Sequence, residues 1–409
     1  MTSKAAELLT IPVLDFEDTT YQQSPYEAVQ AVRGRHWIAR SVRGYEVLSW
    51  KAAATLLTDR DHLDGIGADY YAAQDAPTII LRYAAEGMLP LMPWVRHDAV
   101  RKVLQAAFTG RRVHELRDRM RSAARELISD NIDGELLDFV GGFTDSYPIG
   151  MVCRLIGIPT ADIDRFQDWT VSLALLSHNP IGAHSAEIET ALVGLHNYFT
   201  ELVDDRRRSP RRDFVTALIE AAEESASDGY KISEGEMFGA LVNMLFAGHD
   251  TTRLQLAWAV LLMMQDRSRW SLVVENPALI PNAVEESMRL APSLHTALRR
   301  VTKSFEINDT EFAVGDAISI NIPAANRDPD VFENPDVFWL ERPNSAHHLT
   351  FGRGHRLCLG RLLARTEMQV ALEVLAEDFP GSSIVGPVSM SHPAAATYGP
   401  EELVLHLRQ

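Results

Sequence analysis

The sequence predicts a mainly α-helical fold with small β-sheets, built as a single domain over residues 1–409. Three observations predict it. Apolar residues recur at helical spacing through most of the chain. The stretch 237–265 is apolar on nearly every side, and as a helix it would run about 43 Å through the protein interior. Short alternating segments are confined to residues 36–49 and to the region after Ala291. No Pro/Ser-rich linker, repeat or low-complexity tract divides the chain.

In order, residues 1–30 read as irregular and then helical, and His36 to Ser49 as short strands around a turn at Gly44. Asp59 to Pro93 is a long mixed loop with apolar patches at Ile79, Ile80, Met88, Leu89 and Leu91. Trp94 to Phe108 is a helix that puts His97 and Arg101 on one face. Arg111 to Gly134 is a charged helix, and Leu136 to Gly157 an apolar one stopped by Gly157 and Pro159. Thr160 to Arg208 is helical, and Arg206 to Arg212 a solvated basic turn. Ser233 and Glu236 form a capping box that starts the long helix. Strands are expected at Leu298 to Thr302, Phe305 to Ile307, Ala317 to Ile322 and Leu403 to Leu407.

Three stretches carry chemistry. Phe351-Gly352-Arg353-Gly354-His355-Arg356-Leu357-Cys358-Leu359-Gly360 follows an extended run, His348 to Phe351, and precedes a helix. Its glycines permit a tight excursion, and the positive helix end and flanking arginines favour a thiolate at Cys358. By itself such a cysteine is more often a small buried hydrophobe. The long helix holds Ala247-Gly248-His249-Asp250-Thr251-Thr252 at its centre, where polar groups need a reason. Alone, this is a kink satisfied by back-bonding. Glu286 and Arg289 are an i,i+3 pair, commonplace when isolated.

Together, F-G-x-G-x-R-x-C-x-G, A-G-x-D-T-T and E-x-x-R resemble the cytochrome P-450 family of soluble, bacterial-type haem-thiolate monooxygenases. The landmarks cover roughly 94 to 370. Arg356 stands where bacterial members usually carry His, and Trp339 where an Asp is usual. The resemblance implies a non-covalent haem b with Cys358 as metal ligand, and no C-x-x-C-H attachment site is present. It assigns Asp250, Thr251 and Thr252 to catalysis. It places Ala247, Gly248, Phe351, Gly352 and Gly360 against the cofactor, and His97, Arg101, Arg299 and Arg356 at its propionates. Alternation lets only one of Arg299 and Arg300 face inward. Glu286, Arg289 and Arg342 become a structural ion cluster. Leu245, Phe246, His295 and Thr296 become substrate contacts, in a pocket roofed by the 59–93 region.

The implied reaction inserts one atom of O2 into a small, largely apolar organic substrate. Electrons come from NAD(P)H through a separate ferredoxin and ferredoxin reductase, docking near Arg111, Arg112, Arg353, Arg361 and Arg365. Arg365 is the one of these best suited to an internal ion pair. A peroxide-using relative would not need the Asp250–Thr251 pair, and a haem sensor or carrier would need an output segment that the sequence does not resemble. A net charge of -17 argues against nucleic acid and anionic membranes. Residues 1–12 lack an apolar run long enough for a leader or anchor, and Cys153 and Cys358 fit a reducing compartment. A cytoplasmic monomer is expected.

Overall fold

In the computed structural model, the residues described are 11–177, 181–227, 229 and 231–409. The first ten, where no leader is expected, lie outside them. The helices that surround the site are α1 (Thr78–Glu86), α2 (Trp94–Ala107), α3 (Arg117–Asn131), α4 (Tyr147–Ile156), α5 (Ser185–Arg208), α6 (Glu234–Met264), α7 (Ile280–Leu290) and α8 (Arg361–Asp378).

α6 is the central element. It packs against α1, α2, α4, α5, α7 and α8, which is why it is apolar all round. Its start is fixed by the expected capping box: Ser233 Oγ accepts the Glu236 N–H at 3.0 Å, and the Glu236 carboxylate accepts the Ser233 N–H at 2.8 Å. Arg96 of α2 also pairs with Glu236, so α2 is tied to the same point.

The strands are β1 (Ile38–Ser41), β2 (Gly44–Val47), β3 (Leu63–Asp64), β4 (Ile132–Asp133), β5 (Leu136–Asp138), β6 (Thr296–Val301), β7 (Phe305–Ile307), β8 (Thr310–Phe312), β9 (Ala317–Asn321), β10 (Ser383–Met390) and β11 (Pro400–His406). They form a five-stranded sheet in the order β1-β2-β9-β6-β3, a four-stranded sheet β10-β11-β5-β4 and a β7-β8 hairpin. β2 and β9 run parallel; the other pairs are antiparallel.

Several boundaries differ from the sequence reading. The 59–93 segment contains α1, whose Ile80, Tyr83 and Ala84 form a buried stripe. The charged helix breaks at Leu116 into Gly110–Glu115 and α3. Leu136 to Gly157 is not one helix. Leu136–Asp138 pairs with β11, a wide turn follows at Gly141 and Gly142, and only Tyr147–Ile156 is α-helical, ending at Gly157 with φ 99°. Its apolarity reflects burial from several sides, which periodicity cannot resolve into elements. His348 to Phe351 is a turn, with the Gly352 N–H on the Leu349 carbonyl. In the basic turn, Arg206 is buried, pairing with Asp205 and Asp213 and donating to the Gly157 carbonyl. Glu367 of α8 lies inside with both carboxyl oxygens unpartnered, and burial pushes its carboxyl up.

Candidate functional site

Glycine makes the Cys358 loop possible. Gly352 and Gly354 take φ values of 70° and 69°, and a Cβ on Gly354 would meet Thr58 Cγ2 at 2.9 Å. The loop closes when the Cys358 N–H bonds the Phe351 carbonyl at 2.8 Å, and α8 begins at Arg361. Arg365 lies 4.5 Å over the Phe351 ring while its Nε and Nη2 donate to Glu285, so it is an internal pair. The Cys358 side chain is solvent-accessible yet surrounded by protein mass, so it opens onto an internal space. A Cβ on Gly360 would meet nothing nearer than Cys358 Sγ at 4.0 Å, leaving that side of the sulfur flat. Contrary to the expected thiolate, burial pushes the thiol up, opposed by the Gly360 N–H, Arg101 and Arg361. A bound metal cation would reverse that balance.

A second surface is open on α6. Asn243, Ala247 and Thr251 are spaced i, i+4 and i+8, and all three are accessible, whereas Leu241, Leu245, His249, Asp250 and Thr252 are buried. Thr251 Oγ1 donates to the Ala247 carbonyl at 2.7 Å, and Ser293 Oγ donates to the Thr251 carbonyl at 2.8 Å. The back-bond leaves the Thr251 hydroxyl a free acceptor on the open side. The Asn243 side chain has no hydrogen-bond partner among the described residues and was not singled out from the sequence. Its signal was there: an amide two turns before Thr251 on one face of an apolar helix.

Buried cations gather beside the loop. Arg101 donates to the Leu357 carbonyl at 2.6 Å. Arg356 donates to the carbonyls of Leu89, Pro90 and Met92, pairs with Asp64 at 3.2 Å and lies 4.0 Å over Trp94. Arg299 is 4% exposed, and Nε of both Arg299 and Arg356 lacks a partner. Burial first, then mutual repulsion in the case of Arg299, lowers Arg299 to about 9; burial lowers Arg356 to about 10. Arg300 points the other way, to Asp69. His97 is 1% exposed, with Nδ1 3.0 Å from Asp98; burial, then Arg356, holds it down to about 4.

Other sites differ from expectation. Gly248 serves helix approach: its Cβ position is blocked by Val152 Cγ2 of α4 at 2.8 Å. Thr252 is buried about 100° round the helix from Thr251. Leu245 is fully buried in the core, and Phe246 half-buried. The Thr296 hydroxyl is taken by Ser319 at 2.6 Å. His295 packs among Tyr26 and Tyr398, with ring centroids 5.8 and 5.1 Å away. Glu286 accepts from both Arg289 and Arg342, all three buried, as the sequence suggested.

A cysteine on a Gly-rich loop before a helix, a hydroxyl on the open face of an unbroken central helix and a buried Glu–Arg–Arg cluster together fit a haem-thiolate oxygenase scaffold. The chain belongs to the cytochrome P450 family, an oxidoreductase family of monooxygenases: the family model "Cytochrome P450" matches residues 166–271 and 273–384. It is 34% identical over 319 residues to the nocardicin C N-oxygenase of Nocardia uniformis subsp. tsuyamanensis, covering 77% of each chain. It is 35% identical over 312 residues to the mycinamicin IV hydroxylase/epoxidase of Micromonospora griseorubida, covering 75% of this chain and 76% of that one. In fold it matches P450BioI, solved with an acyl carrier protein, with a TM-score of 0.86 at 24% identity over 95% of this chain and 100% of that one. Among the described residues no helix is long and apolar enough to cross a membrane.

Proposed function

We propose that this chain is a single-domain monooxygenase that holds haem b non-covalently through Cys358 and inserts one atom of O2 into a largely apolar organic substrate. The observation that carries it is the pairing of an accessible but deeply placed Cys358 with two buried arginines, Arg299 and Arg356, that each keep an unpartnered Nε. Two neighbouring guanidinia inside a protein call for an anion. The propionates of a haem supply it, with Arg101 and His97 as further donors. Bound there, the thiolate-ligated iron supplies the redox chemistry of dioxygen cleavage.

The protein's own groups do the rest. Thr251, its hydroxyl proton committed to Ala247, accepts from a water in the open space and so positions a proton donor. Asp250, buried with Oδ2 free, hands protons inward. Asn243 shares the open face with Ala247 and Thr251, and its amide orients a substrate that carries a carbonyl or hydroxyl. Electrons from NAD(P)H arrive through separate redox proteins. A ferredoxin suits the cleft of about 480 Å³ outside the Cys loop, where Trp50, Leu357, Arg353 and Arg361 meet and Arg353 stacks 5.5 Å from Trp50.

The test is turnover with a surrogate ferredoxin system under labelled oxygen: one labelled atom should enter the product, and NADPH oxidation without labelled product would count against the reading. In the same assay, Thr251→Ala should keep haem content and substrate binding while most reducing equivalents leave as hydrogen peroxide. Coupling at the parent level would make Thr251 a packing residue. Asn243→Leu should weaken binding of a hydrogen-bonding substrate by about 1 kcal/mol and change the site of oxidation. An unchanged product profile would remove Asn243 from the substrate contacts.

A further inference from the structure

A network behind Asp250 extends toward solvent through Arg253 and Asp145. Arg253, one turn on, binds Asp250 Oδ1 through Nη2 at 3.1 Å and Nε at 3.2 Å. The opposite Nη1 of the same guanidinium meets Asp145 Oδ1 at 3.3 Å. Asp145 lies just before α4, its side chain 32% exposed against 4% for Asp250. One arginine thus joins a half-buried carboxyl to a carboxyl inside. The second oxygen of the inner carboxyl, Asp250 Oδ2, is buried and has no partner. A purely structural ion pair would gain by satisfying that oxygen, because an unmet buried acceptor is costly. The His249 ring nitrogen Nε2 lies 2.9 Å from the Asp145 carbonyl and donates to it, fastening the Asp145 backbone to α6.

We infer that Asp145 is the outer proton donor that recharges Asp250, and that Arg253 is the positioning residue holding the two carboxyls in register. The inference deepens the monooxygenase reading and rests on it. The transfer moves protons alone. The Asp145 carboxyl gives its proton to a bridging water, the water gives one to Asp250 Oδ2, and Asp145 regains a proton from bulk solvent; no electrons move.

The surroundings suit that role. The groups facing Asp145 are Arg253, Asp138, Asp250 and His249. Burial raises Asp145, Arg253 opposes this, and Asp138 and Asp250 add to the rise, so Asp145 carries a proton more readily than a surface aspartate. His249 is held down to about 4 by burial, then Arg253, and stays neutral as a fixed hydrogen-bond donor.

The experiment compares Asp145→Asn and Asp145→Glu with the parent, all haem-loaded. Asp145→Asn should keep the reduced-CO spectrum, the substrate-induced spin-state change and the melting temperature. Its oxygen consumption should fall about tenfold, less than loss of a group acting directly on the reacting atoms, with a larger solvent deuterium isotope effect. Asp145→Glu should recover most of the rate. Independently of turnover, the infrared spectrum of Asp145→Asn should lose one protonated-carboxyl band that in the parent titrates above the ordinary aspartate range. A parent-level rate and isotope effect in Asp145→Asn would overturn the inference. So would a loss that follows the melting temperature and is not recovered by glutamate. A parent protein without a red-shifted CO band would instead overturn the monooxygenase reading itself.

Discussion

Cys358→Ser should fold, lose product formation altogether and bind haem more weakly. The loop itself does not depend on the sulfur. Its closure is a backbone bond from the Cys358 N–H to the Phe351 carbonyl, and its shape comes from Gly352 and Gly354. Serine fits the same space, so α8 should still start at Arg361. What changes is the ligand. A thiolate is soft and strongly electron-donating toward iron, and a hydroxyl at neutral pH is neither. Cys358→His tests the same point with a nitrogen ligand. Product formation in either variant at the parent rate would remove Cys358 from the metal, and Cys153, buried within α4, offers no alternative.

Glu286→Gln should be the most damaging change outside the site. The Glu286 carboxylate accepts from Arg289 Nε and Nη2 at 2.7 and 2.8 Å, from Arg342 Nε at 2.9 and 3.0 Å, and from the Trp339 N–H at 3.0 Å. Trp339 stands where the related pattern has an acid, and its backbone joins the cluster while its side chain stays partly exposed. The remaining guanidinium protons go to the carbonyls of Asn326, Glu333, Asn334, Pro335 and Val337. The cluster therefore organises the 326–342 segment that leads to the Cys loop. Removing the anion leaves two buried cations facing each other. Breaking such a pair costs about 3–5 kcal/mol, against a total stability of roughly 5–15 kcal/mol. The melting temperature should fall by about 3–6 °C. A midpoint within about 2 °C of the parent would show that the cations find other partners.

What could be read from sequence was what lies within one stretch of chain. The Cys loop, the Ala247–Thr252 segment and the Ser233–Glu236 box each set their geometry locally, through glycine φ values, a back-bonding hydroxyl and a capping side chain. α2 was equally plain, because its buried face is continuous. The losses came where partners are distant in sequence. β5 exists because β11 pairs with it, so Leu136–Asp138 read as part of a helix. Alternation left Arg299 and Arg300 undecided; the β6–β9 register and Asp69 turn Arg300 outward and Arg299 inward. His295 and Thr296 come to the pocket through the resemblance alone, and their neighbours Tyr26, Tyr398 and Ser319 lie far from them in sequence. The Asp250–Arg253 spacing was visible, but Asp145 joins it only through the packing of α4 on α6.

The most direct measurement is the absorption spectrum of the haem-loaded, reduced protein under carbon monoxide. If Cys358 holds the iron as a thiolate, the Soret band should shift strongly to the red, and Cys358→Ser should abolish the shift in a folded protein. A band at the position found with histidine-ligated haem, in fully loaded parent protein, would contradict the account.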